Sequence, residues 1–124
     1  AIRVGLTECD DDVERMRCAF ARRAEIISGK LRAMEGVVFP QPTGAFYVFA
    51  DISAHFGKRS KQGAGINAAA DFASALLDEH HVAVVPGEDF LGCGPQCVRI
   101  SFACSEEQIE QGMQRLGEFI GELR

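Results

Sequence analysis

Arg99 is the residue whose type and position most directly suggest chemistry. It sits in the segment Cys97 to Ala103, whose alternation puts Val98, Ile100 and Phe102 on one face and Arg99 and Ser101 on the other. A guanidinium cannot shed its charge, so on a strand it must meet an anion or face water. Its planar fork matches a carboxylate through two parallel hydrogen bonds. Two uses fit the spacing: capture of a ligand's carboxylate, and a structural ion pair with one of the 18 acidic residues or an exposed strand face. On spacing alone the structural use is the simpler account.

Other chemistry-bearing residues give weaker signals. The segment Pro86-Gly87-Glu88-Asp89-Phe90-Leu91-Gly92-Cys93-Gly94-Pro95 is rich enough in glycine to cradle a phosphate, but it lacks the Gly-Lys-Ser/Thr ending of a P-loop and feeds a strand. A connection with unusual backbone angles explains it as well. Cys93 and Cys97 stand four apart, with Cys104, His80 and His81 elsewhere; structural zinc sites use tighter Cys-x-x-Cys pairs, so core thiols are expected and no metal. His80 and His81 end a predicted helix, where positive charge suits the macrodipole. His55 lies in a polar stretch with no nucleophile motif nearby. Lys30, Lys58 and Lys61 read as solvated surface lysines.

These residues are carried by a regular alternation of elements. Val13, Met16, Phe20, Ile27, Leu31 and Met34 follow a helical period, Asp11 and Glu14 form a start resembling a capping box, and Gly36 supplies a left-handed stop. Val37 to Phe39 reads as a short strand. Pro40-Gln41-Pro42-Thr43-Gly44 is turn chemistry with Gly44 free to take positive φ, and Ala45 to Asp51 reads as the partner strand. Ile52 to Gly65 is polar and reads as an exposed loop, long for a compact domain. Ile66 to His80 returns to helix, with Ala69, Phe72, Leu76 and His80 on one stripe; Val82 to Val85 reads as a buried strand ended by Pro86-Gly87. Ser105 and Gln108 frame a second capping box ahead of the stripe Ile109, Met113, Leu116, Ile120 and Leu123. The fold class expected is α+β: a small mixed or antiparallel sheet of three to four strands covered by helices on one face, forming one domain over residues 1–124.

Composition agrees with a globular domain. The 124 residues are 47% hydrophobic and 25% charged, which sets aside disordered, collagen-like and disulfide-scaffold chains. With 13 basic against 18 acidic residues the net charge is -5, the wrong sign for a nucleic-acid partner. No apolar run approaches the roughly 20 residues of a membrane span, and the opening Ala1-Ile2-Arg3-Val4-Gly5 has no signal-peptide pattern, so neither membrane nor export is expected. Five cysteines, an odd number, favour reduced thiols and the cytosol, with an organelle matrix as the other compartment.

Four segments taken together resemble the C-terminal small domain of fold-type I, pyridoxal-phosphate-dependent aminotransferases of class I/II, in the aspartate aminotransferase-like branch. They are Arg22-Arg23 on the first long helix, Pro42-Thr43-Gly44-Ala45-Phe46-Tyr47, Val84-Val85-Pro86-Gly87 with Phe90, and Val98-Arg99-Ile100-Ser101-Phe102-Ala103. Their order and spacing agree across nearly the whole chain. Two departures stand out: Ala24 where the family commonly carries an acidic residue, and Leu91 between Phe90 and Gly92.

The resemblance implies that Arg99 binds the α-carboxylate of an amino acid substrate and that Phe46 lies near that substrate. It implies pyridoxal 5'-phosphate as cofactor, held by a large domain that this sequence does not contain, since none of Lys30, Lys58 or Lys61 stands in the family's Schiff-base motif. It further implies amino acid and 2-oxo acid substrates and a homodimeric full-length protein, with this part alone unable to transaminate. Two other readings stay open. One is a non-catalytic α+β module that binds a small carboxylate or mediates association; the other is a related enzyme on the same fold, such as a C–S lyase.

Overall fold

The computed structural model describes residues 2–124 except 91 and 93. Among the described residues four α-helices and three strands follow the order α1 (Ile2–Thr7), α2 (Asp10–Arg32), β1 (Tyr47–Asp51), α3 (Ala69–His80), β2 (Val85–Pro86), β3 (Cys97–Ser101) and α4 (Glu106–Glu122). The strands form one antiparallel sheet in the order β1-β3-β2. The class is therefore α+β, with three strands.

Alternation in β1 and β3 sets the layers. Val48, Ala50, Val98 and Ile100 are buried toward the helices, whereas Tyr47, Phe49, Cys97, Arg99 and Ser101 occupy the opposite face. Register pairs Phe49 with Arg99 on one side of β3 and Val85 with Arg99 on the other. The core between sheet and helices gathers Ile27 and Leu31 from α2, Phe72 and Leu76 from α3, and Ile109, Met113, Leu116 and Phe119 from α4. Phe72 and Phe119 meet edge to face at 5.1 Å. Each such ring contributes roughly 1.5–3 kcal/mol by leaving water.

α4 starts as its residues dictate: the Ser105 hydroxyl accepts from the Gln108 N–H and the Gln108 side-chain oxygen accepts from the Ser105 N–H, each at 3.2 Å. α3 is held at its start by Asp71, whose carboxylate accepts from the N–H groups of Asn67 and Ala68. It begins at Ala69 rather than Ile66, which is buried in the preceding segment.

Several expectations need correction. α2 begins after Cys9 with no side-chain cap, so Asp11 and Glu14 form no capping box; instead Asp10, Asp11 and Asp12 place negative charge against the helix's positive end. Val13 and Met16 are more than half exposed, so only the later part of the helical stripe reaches the core. α2 ends at Arg32, ahead of Gly36, whose positive φ instead turns the chain beneath the His55 ring.

Val37 to Phe39 shrinks to a single bridge between Val38 and Asp51, because Pro40 and Pro42 lack the N–H needed to extend a ladder. The positive φ in the following turn falls on Ala45 at 60°, not on Gly44. Val82 to Val85 contributes only Val85 and Pro86, at the sheet edge, where a missing N–H is tolerated.

Most of the polar stretch 52–65 is exposed, as expected of a loop, but Ile52, His55 and Ser60 are buried and anchor it. Its backbone pairs with the other end of the chain, the Arg59 N–H donating to the Arg124 carbonyl at 2.6 Å and the Arg124 N–H to Arg59 at 3.1 Å. Among the cysteines, Cys18 is exposed on α2 rather than in the core, and Cys93 lies outside the described residues. No helix among the described residues is long and apolar enough to cross a membrane.

Candidate functional site

β3 is the central strand, so Arg99 is fixed by ladders on both sides and by Val98 and Ile100 anchored in the core on either side. Its side chain rises from the sheet face that the helices leave uncovered. There the guanidinium carbon lies 4.3 Å from the centre of the Phe90 ring and 5.5 Å from that of Tyr47. Phe49 packs edge to face against both rings, at 5.5 and 5.8 Å. The cation thus sits in an aromatic enclosure, stabilised through the rings' negative faces.

Among the described residues the Arg99 guanidinium makes no ion pair and no hydrogen bond, and its Nε is buried without a partner. Four acids pair with other partners, Asp12 with Arg15, Glu14 with Arg17, Glu106 with Arg22, and Glu122 with Lys61 and His80, and none of the ion pairs among the described residues includes Arg99. A structural ion pair for Arg99, the simpler account on spacing alone, is therefore absent among the described residues. Unpaired burial is costly for a cation unless an anion is supplied from outside, and the fork's geometry suits a carboxylate.

Phe46 lies next in the row of rings, 5.7 Å from Tyr47 and 6.2 Å from Phe20 on α2. Its carbonyl accepts from the Phe102 N–H at 2.8 Å, which extends the β1–β3 pairing by one step. The ring is half exposed and borders a cleft of about 520 Å³ that also meets Phe20, Ala24 and Thr43. Arg99 does not line that cleft; Tyr47 connects the two residues.

The rings that flank Arg99 were not assigned a part from the sequence, although Tyr47 and Phe90 both stand in the quoted motifs. Alternation in β1 together with its register against β3 is the signal that would have found Tyr47 and Phe49. Phe90 is brought in by the turn Gly87–Asp89, which its own N–H closes onto the Gly87 carbonyl at 3.0 Å. Gly87 is buried so tightly that a Cβ there would come within 2.6 Å of the Cys97 carbonyl, so the glycine serves close packing and not a phosphate cradle.

The residues that accompany Arg99 do not fit pyridoxal phosphate itself. The chain has three lysines, and none stands on the sheet face with Arg99. Lys58 Nζ is 3.5 Å from His55 Nδ1, Lys61 pairs with Glu122 at 2.9 Å, and Lys30 is exposed in the last turn of α2. Arg22 and Arg23 also have local work, Arg22 joining α2 to Glu106 at 3.0 Å and Arg23 lying over Phe20 at 5.1 Å. His80 meets Glu122 at 3.2 Å, and His81 takes the left-handed position that ends α3. Among the described residues no three His, Cys, Asp or Glu side chains converge as a metal-binding set.

Comparison with known proteins gives the family of the chain. Residues 5–116 match the model of the family described as aminotransferase class I and II. An aspartate aminotransferase of Bacillus sp. (strain YM-2) is 42% identical over 110 residues, covering 89% of this chain and 26% of the relative. An aspartate/prephenate aminotransferase of Cereibacter sphaeroides is 44% identical over 107 residues, covering 86% of this chain and 26% of the relative. The crystal structure of the aspartate aminotransferase from Rhizobium meliloti matches with a TM-score of 0.90 at 34% identity, over 98% of this chain and 30% of that one. The chain spans about a quarter of the length of these curated relatives. The family model matches most of the chain, and the chain belongs to the aminotransferase class I and II family.

Proposed function

We propose that this chain is the C-terminal part of a pyridoxal-phosphate-dependent aminotransferase that moves an amino group between an amino acid and a 2-oxo acid, with Arg99 binding the substrate's α-carboxylate. The observation that carries the reading is the Arg99 guanidinium, enclosed by Tyr47 and Phe90 and lacking any carboxylate or hydrogen-bond acceptor among the described residues. A fixed cation with unused donors supplies orientation: two parallel bonds to a carboxylate leave the ligand little rotational freedom about its Cα. Phe46, half exposed at the end of the same row of rings, borders the substrate in this reading.

Pyridoxal phosphate, where bound, supplies the electron sink for cleavage at Cα. Because no lysine here accompanies Arg99, the cofactor belongs to the part of the relatives' length that this chain does not span. The domain reading follows: residues 1–124 form a small domain beside a separate cofactor-binding one, in a homodimer located in the cytoplasm. The odd cysteine count supports that compartment, and amino acid and 2-oxo acid are the small-molecule partners.

Arg99→Ala in the full-length protein tests the reading. Loss of a bidentate contact to a charged group costs on the order of 3 kcal/mol, so kcat/KM for both amino acid and 2-oxo acid is expected to fall roughly 100-fold. Equal kinetics in the variant and the parent protein would remove Arg99 from the substrate site. A full-length protein that shows no visible cofactor absorbance, and in which borohydride fixes no cofactor to lysine, would favour a carboxylate-binding module instead.

A further inference from the structure

We propose that Phe90 is a positioning residue for this reaction, orienting the Arg99 guanidinium through its ring face so that the fork stays available to the substrate carboxylate. The inference rests on the carboxylate-binding reading of Arg99 and adds a residue to it. Among the described residues the rings of Phe90 and Tyr47 are the contacts recorded for the fork, since the guanidinium has no hydrogen bond and its Nε is buried without a partner. An acidic neighbour could orient the fork equally well, but it would occupy the donors that an incoming carboxylate needs and would compete with it. A ring holds the cation by its face and leaves the donors at its edge.

Phe90 is the closer of the two rings, 4.3 Å from the guanidinium carbon against 5.5 Å for Tyr47. It is also held in place from two sides. Phe49 packs edge to face against it at 5.5 Å, and its backbone closes the turn that begins at Gly87, itself seated against Cys97 of β3. The ring therefore moves with the strand that carries Arg99. Strand and turn together fix both partners of the cation–ring contact.

The test uses the full-length enzyme with three changes at this position: Phe90→Leu, Phe90→Tyr and replacement of Phe90 by pentafluorophenylalanine. The fluorinated ring keeps the size of the original but reverses its quadrupole, so it removes the attraction without opening a cavity. KM for both amino acid and 2-oxo acid is expected to rise roughly three- to thirtyfold in the leucine and fluorinated proteins, with kcat changing less, and to stay near the parent value in the tyrosine protein. As a readout independent of turnover, the Arg99 Nε–H proton resonance should be shifted upfield by the ring in the parent and tyrosine proteins and return toward the usual arginine position with leucine.

An unchanged KM in the fluorinated protein, while Arg99→Ala raises KM, overturns the role of Phe90 and leaves the carboxylate reading standing. If Arg99→Ala also leaves KM unchanged, the carboxylate reading has failed and the positioning role falls with it. A drop in kcat at constant KM marks loss of folded protein and also overturns the proposal. Should leucine prevent folding, the fluorinated ring decides.

Discussion

Arg99 and His55 both bury a nitrogen without a hydrogen-bond partner, and they respond to that burial differently. Guanidinium stays charged, so Arg99 keeps a demand for an anion. Imidazole can release its proton, and burial favours that release at His55. Burial holds its pKa below the usual imidazole value, the nearby Lys58 ammonium pushes it down further, and Glu35 opposes them. A folded-state pKa below that of the unfolded chain means that the unfolded chain binds more protons in the window between the two. Stability is then fully present above the ordinary imidazole pKa of about 6.5 and is lost as pH falls through the lower folded value. Urea unfolding from pH 7 down to 5 should show the midpoint decreasing, and His55→Gln should flatten that slope. A variant with the same slope would place the titration on another group. Glu122, also held below its ordinary value by Lys61, acts at lower pH and separates from the His55 window.

At the scale of elements, the site depends on how the Gly87 turn meets β3. Gly87 has no room for a side chain: a Cβ would lie 2.6 Å from the Cys97 carbonyl and 3.0 Å from that of Gly94. Gly87→Ala should therefore cost about 1–3 kcal/mol, the range for overpacking a tight contact, read as a lower urea midpoint at unchanged slope. Alanine at no cost would mean that the turn is free to move and that Phe90 is not tied to the strand. Elements with a strong local signature were legible from the sequence. β3 alternates because one face is buried, and α4 declares its start through Ser105 and Gln108. Signals fail where the deciding contact is distant. The packing of 52–65 depends on Arg59 pairing with Arg124, which leaves no local trace. A helical period in Val13 and Met16 says which residues share a face, not what covers it. The site divides in the same way: Arg99 and Phe46 came from motifs, whereas the rings around the arginine became visible only with the register of β1 against β3.

For the molecule as a whole, the proposed reading puts the substrate's cation in this chain and leaves no lysine beside it to hold the cofactor. Its three lysines lie outside the sheet face of Arg99, two of them beside His55 and Glu122. The 124-residue chain, mixed with pyridoxal phosphate, an amino acid and a 2-oxo acid, is expected to give no transamination above that of the free cofactor. Borohydride should fix pyridoxal only as it does on ordinary surface amines, spread over the lysines with no preferred one. The carboxylate-binding half of the function should persist if the domain folds alone, because β3, its two neighbours and the enclosing rings are all built from this chain. A simple monocarboxylate such as acetate should then shift the Arg99 Nε–H resonance in the intact domain, and half-saturation should need several times more acetate in a Phe90→Leu variant. Turnover by the 124-residue chain alone would contradict the division of labour, since it would require a lysine that the structure does not bring to the arginine.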